Sequence, residues 1–371
     1  MVYLDYAATS PVVKYPQLLY TKLYCDTARR ECFLNPNANY AYKEKRLLSE
    51  AKNRVKKAIG AKSGKVIFGG TSSQLIENLM DVNHDCQVWC SPWEHDSFFR
   101  YTDANNIVSD LDELKSWLKI ALPSVVDDFY VSRPVVMWQA VQNITGEIFP
   151  VEEIGKLCHE HDAFYICDMT AMIGHVPIPA NIDQWCDCVV WSGHTLGTEL
   201  GIGAVWISDR FDKWLNGFKL HGTPNLAGAL AMTQAVEEAC DNHKLNQNSV
   251  HYGELLDYLI DGLIEKSIDF QLVPEYEENE PSNKFTLAIN AIRLPEFNAD
   301  ALQQYLASKQ IYVSIGGSAC TEKHDYRVLN AYGLSNDEAS EVIRVSFGED
   351  SSIEDVKALV DGIKEFKEKF V

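Results

Sequence analysis

Residues 189–203 of this 371-residue chain constrain its fold more than any other stretch. An apolar run at 188–191 predicts a short buried strand, which stops at the Ser-Gly-His of residues 192–194. A glycine-rich turn follows, and then a second apolar run at 202–207. Hydroxyl and imidazole groups on a strand end that opens into glycines can meet an anion together with backbone N–H groups. We therefore expect an anion-binding site at the end of this strand.

The composition is that of an ordinary soluble globular protein, with 46% hydrophobic and 23% charged residues. At this length the chain can bury one large core or two moderate ones. A net charge of −20 would repel nucleic-acid backbones and anionic membranes, which argues against either as a partner. No apolar run approaches the ~20 residues of a membrane span, and no cleavable signal is recognisable at the N-terminus. We expect a cytoplasmic protein.

The ten cysteines do not form a recognisable metal or disulfide pattern. Most lie inside apolar segments, as Cys158 and Cys167 do, where a free cysteine behaves as a small hydrophobic residue. Cys186 and Cys188 form one close pair, but the second pair that makes a zinc site convincing is missing. We expect a reduced protein without a metal site.

A strand-to-helix turn in the first part of the chain also suits an anion. Residues 3–12 predict an extended arm broken at Pro11, and residues 41–59 predict a helix. A strand at 66–68 then runs into Gly-Gly-Thr-Ser-Ser at 69–73, ahead of a further helix. Glycines and hydroxyls at such a turn present N–H and O–H donors to one point, which suits a phosphate, although any helix N-cap looks similar.

Three further predicted strands end in polar residues. The strand at 87–90 is followed by His95, the strand at 135–141 by Asn143, and the strand at 163–167 by Asp168. An acid at the carboxyl end of a parallel strand lies on the ligand-binding edge of an α/β sheet. Asp168 is therefore a candidate ligand contact.

The chain beyond residue 245 predicts a small α+β domain. It is reached through a long helix that ends near residue 264, and an acidic, proline-bounded loop follows at 274–281. The predicted strands are 285–289, 311–314 and 343–345, and the predicted helices are 299–309, part of 339–342, and 353–370. Cys320 lies on a Gly/Ser-rich loop of this domain, where an accessible thiol can react as the thiolate.

Read together, these motifs resemble the cysteine desulfurases, a group of class V aminotransferases with pyridoxal-phosphate (PLP) fold type I. The resemblance covers essentially the whole chain. It rests on Leu-Asp-Tyr-Ala-Ala-Thr-Ser-Pro at 4–11, Ser-Gly-His at 192–194, Gly-Ser-Ala-Cys-Thr at 317–321 and Arg-Val-Ser at 344–346.

The resemblance implies an α/β architecture. A large domain (16–244) would carry a mostly parallel seven-stranded sheet flanked by helices. A small α+β domain (245–371) would follow, with an N-terminal arm (1–15) packed near it. Proteins of this family are homodimers, in which each site borrows residues of the partner.

The resemblance also assigns roles to individual residues. It implies that Asp168 faces the PLP ring nitrogen, that His95 stacks on the ring and can move protons, and that Asn143 lies by the ring hydroxyl and the substrate. Arg344 would bind the substrate carboxylate, and Cys320 would carry a persulfide. The residues implied for the cofactor phosphate are Ser72, Ser73, Ser192, His194 and, from the partner subunit, the residue equivalent to Thr223.

One departure from the family pattern governs the functional expectation. Thr195 stands where the family has the lysine that binds PLP covalently and shuttles a proton. A threonine hydroxyl forms no stable covalent link to PLP and is a poor base near neutral pH. Other departures surround the same predicted pocket, namely Thr71 for glycine, Ala171 for glutamine, Leu220 for arginine, and Thr198-Glu199-Leu200 for Gly-Pro-Lys.

Three hypotheses follow. The chain could be a divergent desulfurase that binds PLP non-covalently and moves sulfur from L-cysteine through Cys320 to an acceptor protein. It could instead be a pseudoenzyme that acts as a dimeric scaffold, a sulfur carrier or a regulatory partner. In the third hypothesis another lysine replaces the lost one, with Lys219 nearest in sequence. L-cysteine is the substrate that the lineage implies, and selenocysteine or another amino acid stays open.

Overall fold

The structure is a computed structural model that describes residues 1–11, 34–81, 86–120, 124–126, 130–275, 284–316 and 325–371. Its contacts divide the chain into two compact units. The large unit comprises residues 11–140 and 149–242. The small unit comprises residues 1–10, 141–148 and 243–371, so a short segment from the middle of the chain belongs with its two ends.

The strands of the described residues are short, as is usual for an α/β protein. They are β1 (Val2–Tyr3), β2 (Lys65–Gly69), β3 (Val88–Cys90), β4 (Ser124–Val126), β5 (Tyr130–Ser132), β6 (Val135–Met137), β7 (Phe164–Asp168), β8 (Cys188–Ser192), β9 (Gly203–Ile207), β10 (Gln271–Val273), β11 (Ile289–Arg293), β12 (Ile311–Tyr312), β13 (Ser314–Ile315) and β14 (Val342–Ser346).

Twelve α-helices lie in the described residues. They are α1 (Tyr42–Ala58), α2 (Ser72–Asp81), α3 (Asp96–Phe99), α4 (Leu111–Ile120), α5 (Val151–Glu160), α6 (Asp209–Trp214), α7 (Leu226–Ala239), α8 (Asn242–Glu265), α9 (Ala299–Ser308), α10 (Arg327–Ala331), α11 (Asn336–Ala339) and α12 (Ile353–Phe370). None of the helices described here combines the length and the apolar character needed to cross a membrane.

The large unit is built on one mixed, largely parallel sheet. Its strand order is β2-β9-β8-β7-β6-β3; the last four strands of that order are mutually parallel, and β9 is antiparallel to both of its neighbours. This confirms the predicted α/β sheet flanked by helices. Six strands are present in the described residues rather than the expected seven. Next to β3, a single parallel bridge joins Cys90 to Ile107, and the turn at Ala104–Asn106 and the start of α4 leave little chain for a longer strand.

Two strands form the centre of the core in the large unit. Every residue of β8 and β9 is buried, including Trp191 and Trp206. Continuous apolar runs of this kind are expected of strands that are covered on both faces. The predicted runs at 188–191 and 202–207 are therefore confirmed as strands.

A buried ion-pair cluster lies at the edge of this sheet where the parallel strands β7 and β8 begin. The Asp187 carboxylate lies just before β8 and accepts hydrogen bonds from Arg210 Nε (2.9 Å), Tyr165 N (3.0 Å) and His159 Nε2 (3.1 Å). Burial alone would raise the pKa of Asp187, but the bonds from His159 and Arg210 outweigh it and lower that pKa. The cluster is structural because it lies away from the carboxyl ends of the strands.

The small unit contains an antiparallel sheet in the order β10-β11-β14-β13, and β1 pairs in parallel with β12. The N-terminal arm then runs beside β14. Ser346 N donates to Leu4 O (2.8 Å), and Ala7 N donates to Ser346 Oγ (2.9 Å). The Tyr6 ring fills the space that a side chain at Gly348 would need, since a Cβ there would lie 2.0 Å from it. The arm is thus fixed mainly by main-chain bonds.

Three elements of the small unit differ from the sequence-based expectation. The strand predicted at 311–314 is found as two strands, β12 and β13, which pair with β1 and β14 respectively. The strand predicted at 285–289 is found at Ile289–Arg293, because Thr286 N donates to Gly146 O and the chain turns before Ile289. The helix expected in part of 339–342 is found at Asn336–Ala339, because a capping box between Ser335 and Glu338 starts it earlier. Local periodicity did not reveal the start of either of these last two elements.

Candidate cofactor site

The candidate site of the large unit lies where β7 and β8 end. Asp168 is the last residue of β7 and stands opposite Val190 in the sheet, and Ser192 is the last residue of β8. The carboxyl ends of adjacent parallel strands emerge at the same edge of a sheet. Two of the predicted site residues are therefore neighbours at that edge.

The Asp168 carboxyl group has a hydrogen-bond donor but no ion-pair partner among the described residues. Its Oδ1 accepts a hydrogen bond from Thr170 N at 2.8 Å. Burial raises the pKa of Asp168, while the hydrogen bonds from Thr170 and the charge of His95 act in the opposite direction. A charged hydrogen-bond donor placed against this carboxylate would offset the cost of its burial.

His95 is fixed in place by the turn that starts α3. Its Nδ1 accepts from Ser97 N (3.2 Å) and lies 2.9 Å from Ser97 Oγ, so the imidazole caps that helix. The preceding Glu94 is fully buried and accepts from Gln139 N at 3.0 Å. The backbone on both sides of His95 is thus anchored, and the plane of the ring is constrained.

His95 and His194 lie within electrostatic range of each other. Burial lowers the pKa of His194, and the charge of His95 lowers it further. Since the charge of His95 also acts on Asp168, the structure brings these three predicted residues into one neighbourhood.

The strand-to-helix turn at the start of α2 meets the end of β8. The Ser72 and Ser192 hydroxyls are 2.8 Å apart, and Ser72 N donates to Ser192 Oγ at 3.3 Å. A Cβ at Gly203, which pairs with Ser192, would lie 2.5 Å from Gly70 O and 3.0 Å from Ser72 N. Only a glycine at 203 allows this close approach of the turn to the strand.

The first turn of α2 satisfies part of its own hydrogen-bonding capacity. Gln74 N donates to Thr71 Oγ1 (3.3 Å) and Thr71 N donates to Gln74 Oε1 (3.1 Å), which forms a capping box. Within the described residues, neither the amide nor the hydroxyl of Ser73 has a hydrogen-bond partner. Ser73 is thus the donor of this turn that remains open to an anion.

Thr195 directs its hydroxyl back onto the main chain. Its Oγ1 donates toward Ser192 O (3.2 Å) and Thr170 O (3.5 Å). The position therefore supplies a hydroxyl already engaged with carbonyl groups, where the resemblance implies an amine.

The nearest lysine in sequence lies in a different environment. Lys219 is exposed and lines a cleft of about 1020 Å³ beside β2, together with Lys52. Burial and the charge of Lys65 lower the pKa of Lys52. Gly70 before α2 and Gln74 in its first turn line the same cleft, whereas Asp168 and His95 do not.

Thr223 is exposed in the loop before α7, where Asn35 Nδ2 donates to its hydroxyl at 3.2 Å. Asn225 caps α7 by accepting from Gly228 N at 2.9 Å. The described contacts do not join Thr223 to Ser72 or Ser192.

The small unit brings two other predicted residues together. Arg344 is 3% exposed on β14, and its Nη1 donates to Asn143 O at 2.9 Å. Its Nη2 donates to Asp5 Oδ1 (2.8 Å) and Ser314 Oγ (3.1 Å). Cys320 lies outside the described residues.

Sequence reasoning gave no site role to three residues that contact predicted ones. Thr170 holds Asp168, and Asp5 and Ser314 hold Arg344. Only Asp5 left a usable signal, since it is an acid in the middle of an otherwise uncharged N-terminal run.

The class of protein follows from comparison with known families. The model for the aminotransferase class-V family matches residues 2–359, and the chain belongs to that family. Members of this family depend on PLP.

Curated relatives and solved structures agree with this assignment. The chain is 25% identical to the cysteine desulfurase IscS of Dictyoglomus turgidum, over 99% of this chain and 95% of that protein. It is 26% identical to the IscS of Methanosarcina thermophila, over 99% and 92%. A NifS-like protein from Rickettsia africae shares the fold with a TM-score of 0.81 at 20% identity, covering 99% of both chains.

The residues of the large unit fit PLP in part. Asp168 offers a carboxylate whose burial a protonated ring nitrogen would offset, and Ser73 offers unpaired donors at a helix N-terminus. Thr195 does not fit a covalent link because its side chain has no amine. Among the residues described, those that fit the group would contact it through charge and hydrogen bonds.

Proposed function

We propose that this protein is a divergent cysteine desulfurase-like protein that binds PLP non-covalently. The observation that carries the proposal is the Asp168 carboxylate, which ends β7 next to Ser192 at the end of β8 and whose pKa burial raises against the opposing charge of His95. Such a group is costly to keep unless a ligand partners it.

In this proposal each residue of the large unit has a separate task. Asp168 would hold the ring nitrogen protonated, so that bound PLP supplies an electron sink for the bonds of an amino acid. His95 would lie against the ring, since its Nδ1 is tied to Ser97 and its plane is constrained. Ser73, Ser192 and His194 would bind the phosphate, and Thr223 would reach the phosphate site of a partner in a homodimer.

The residues of the small unit would bind the substrate. Arg344 and Asn143 would hold the α-carboxylate of L-cysteine. The Cys320 thiolate would attack the substrate sulfur; the S–S bond forms as the substrate C–S bond breaks. The carbon keeps the electron pair and takes up a proton, so the products are L-alanine and a persulfide on Cys320, and no external oxidant is consumed.

A second candidate is a pseudoenzyme, a dimeric scaffold or sulfur carrier without turnover. The engagement of the Thr195 hydroxyl with two carbonyl groups favours it, because no base stands where the family has its lysine. In that case Cys320 would carry sulfur received from another protein. For both candidates we propose a cytoplasmic location.

Product analysis separates the two candidates. The full-length protein is incubated with PLP and L-cysteine, and alanine is measured together with the mass of the Cys320 peptide. Alanine plus one added sulfur atom on Cys320, both absent in Cys320→Ser, supports a desulfurase. A protein that binds PLP but forms no alanine is a pseudoenzyme.

A further inference from the structure

The Arg344 guanidinium has an incomplete set of partners. It is buried on β14, and its guanidinium is a cation with five N–H donors. Asp5 is its one ion-pair partner among the described residues, and the other two acceptors, Asn143 O and Ser314 Oγ, are neutral. Arg344 Nε is buried and has no hydrogen-bond partner in the part of the chain that the structure describes.

Asp5 contacts Arg344 in a geometry weaker than the one a carboxylate can reach. A carboxylate binds arginine most strongly through two parallel N–H···O bonds, but Asp5 uses one oxygen on Nη2. Both hydrogens of Nη2 are engaged, one by Asp5 and one by Ser314. A carboxylate that takes Nε together with Nη2 must therefore displace one of these two partners. Ser314 is buried, whereas the Asp5 side chain is 18% exposed, so Asp5 is the partner that can move aside.

The arm does not depend on that side chain to stay in place. Val2 and Tyr3 pair with β12, Ser346 N bonds Leu4 O, and Ala7 N bonds Ser346 Oγ. The Asp5 side chain itself is 18% exposed, so it has space in which to move. Displacement of its carboxylate costs one ion pair and leaves the backbone of the arm intact.

We propose that Asp5 is a displaceable counter-ion, which occupies Arg344 until a ligand carboxylate replaces it on the Nε/Nη2 edge. Asp5 is thus a positioning residue: it keeps the guanidinium oriented against Asn143 and Ser314 and sets a threshold for carboxylate binding. The identification of the ligand as an amino acid rests on the proposed function. The competition between Asp5 and another carboxylate for Arg344 does not rest on it.

The test measures carboxylate binding to the full-length protein without cofactor. Thermal unfolding of wild type and Asp5→Asn is followed across sodium formate concentrations, with sodium chloride of equal ionic strength as reference. We expect Asp5→Asn to unfold at a lower temperature in chloride and to be restored by formate at concentrations at least about tenfold below those that affect the wild type. Asp350→Asn, an exposed acid nearby, is the matched control and should behave as the wild type.

Two results would overturn the proposal. One is an Asp5→Asn protein that responds to formate no more than the wild type does. The other arises if Asp5→Asn does not fold, in which case the double variant Asp5→Asn/Arg344→Met is examined. If the double variant folds but formate does not restore the folding of Asp5→Asn, a carboxylate does not replace Asp5. If the double variant also fails to fold, the unpaired Arg344 charge is not the cause, and Asp5 is not its counter-ion.

A second titration distinguishes this proposal from the proposed function. L-cysteine should bind Asp5→Asn at least about tenfold more tightly than wild type, whereas cysteamine, which lacks the carboxylate, should show no such gain. Formate rescue without any L-cysteine binding supports the counter-ion and rejects the amino-acid substrate.

Discussion

The hydroxyl of Thr195 lies 3.2 Å from the carbonyl oxygen of Ser192, to which it donates a hydrogen bond at the end of β8. The side chain at the position of the family lysine is therefore tied to its own loop. A ligand at the neighbouring Asp168 has to be held without a covalent bond from this residue.

Restoring the amine should restore covalent retention. In Thr195→Lys we expect PLP to survive dialysis and to be fixed to the chain by borohydride, with apparent affinity raised at least about tenfold. The measurement is the mass of the tryptic peptide that contains residue 195. The control Thr195→Arg places a cation at the same position but no amine that can bond PLP covalently, and it should not retain PLP. Loss of PLP from Thr195→Lys on dialysis would show that the pocket geometry itself is lost.

Asp168 should make stability depend on pH in a defined direction. Burial raises its pKa in the folded protein, so the carboxyl binds its proton more tightly when folded than when unfolded. The protonated carboxyl group of Asp168 therefore stabilises the fold fully at pH values below its pKa in the unfolded state. That stabilisation is lost as the pH rises through its pKa in the folded state. We expect Asp168→Asn to be more stable than wild type at neutral pH, by on the order of 1 kcal/mol, and the difference to vanish in acid.

Chemical denaturation at several pH values measures this difference. The same measurement in the presence of PLP gives the opposite expectation, because PLP should raise the unfolding free energy of wild type and not that of Asp168→Asn. Equal stability of the two proteins across the pH range would mean that the carboxylate is already compensated.

Asp187 should behave in the opposite sense because its pKa is lowered. Its stabilisation is present above the unfolded pKa and is lost as pH falls through the folded value. Replacing it by asparagine leaves Arg210 without its buried partner, which should cost about 3–5 kcal/mol of unfolding free energy. Asp162→Asn is the control, since Asp162 also pairs with Arg210 but is half exposed, and it should cost less than about 1 kcal/mol.

Gly203 should be required for the meeting of α2 and β8. In Gly203→Ala the new Cβ would lie 2.5 Å from Gly70 O, so we expect the turn before Ser72 to shift, with a loss of about 1–3 kcal/mol of stability and weaker PLP binding. Gly201→Ala has no atom within 4 Å of its Cβ and tests the backbone effect alone, since its φ is +84°. Unfolding free energies and PLP titrations of both variants are compared. Equal PLP affinities in the two variants would contradict a phosphate role for this turn.

Sequence patterns predicted the structural features that depend on residues close together in the chain. The apolar runs at 188–191 and 202–207 are observed as β8 and β9, and Asp168 is the last residue of β7. The strand predicted at 135–141 ends earlier, at Met137, so Asn143 lies beyond it, and His95 caps α3 rather than ending β3. These features are set by neighbouring residues, whose hydrophobic pattern and turn chemistry can be read directly.

The remaining contacts depend on residues far apart in the chain. Ser72 and Ser192 are 120 positions apart, and Asp5 and Arg344 are 339 apart. No periodicity or turn rule links such positions, because they meet only through the strand order and the path of the arm. The departures at Thr195 and Ala171 could be read from the resemblance, but what the Thr195 hydroxyl bonds to could not.

The most direct test is a PLP titration of the dialysed wild-type protein and of Asp168→Ala, followed by gel filtration with and without borohydride. We expect wild type to bind about one PLP per chain, to release it on dialysis, and to retain none after borohydride, and we expect Asp168→Ala to bind at least about tenfold more weakly. Borohydride-fixed PLP in the wild type would mean that another lysine serves. No binding, or binding unaffected by Asp168→Ala, would contradict the non-covalent PLP site at the end of β7.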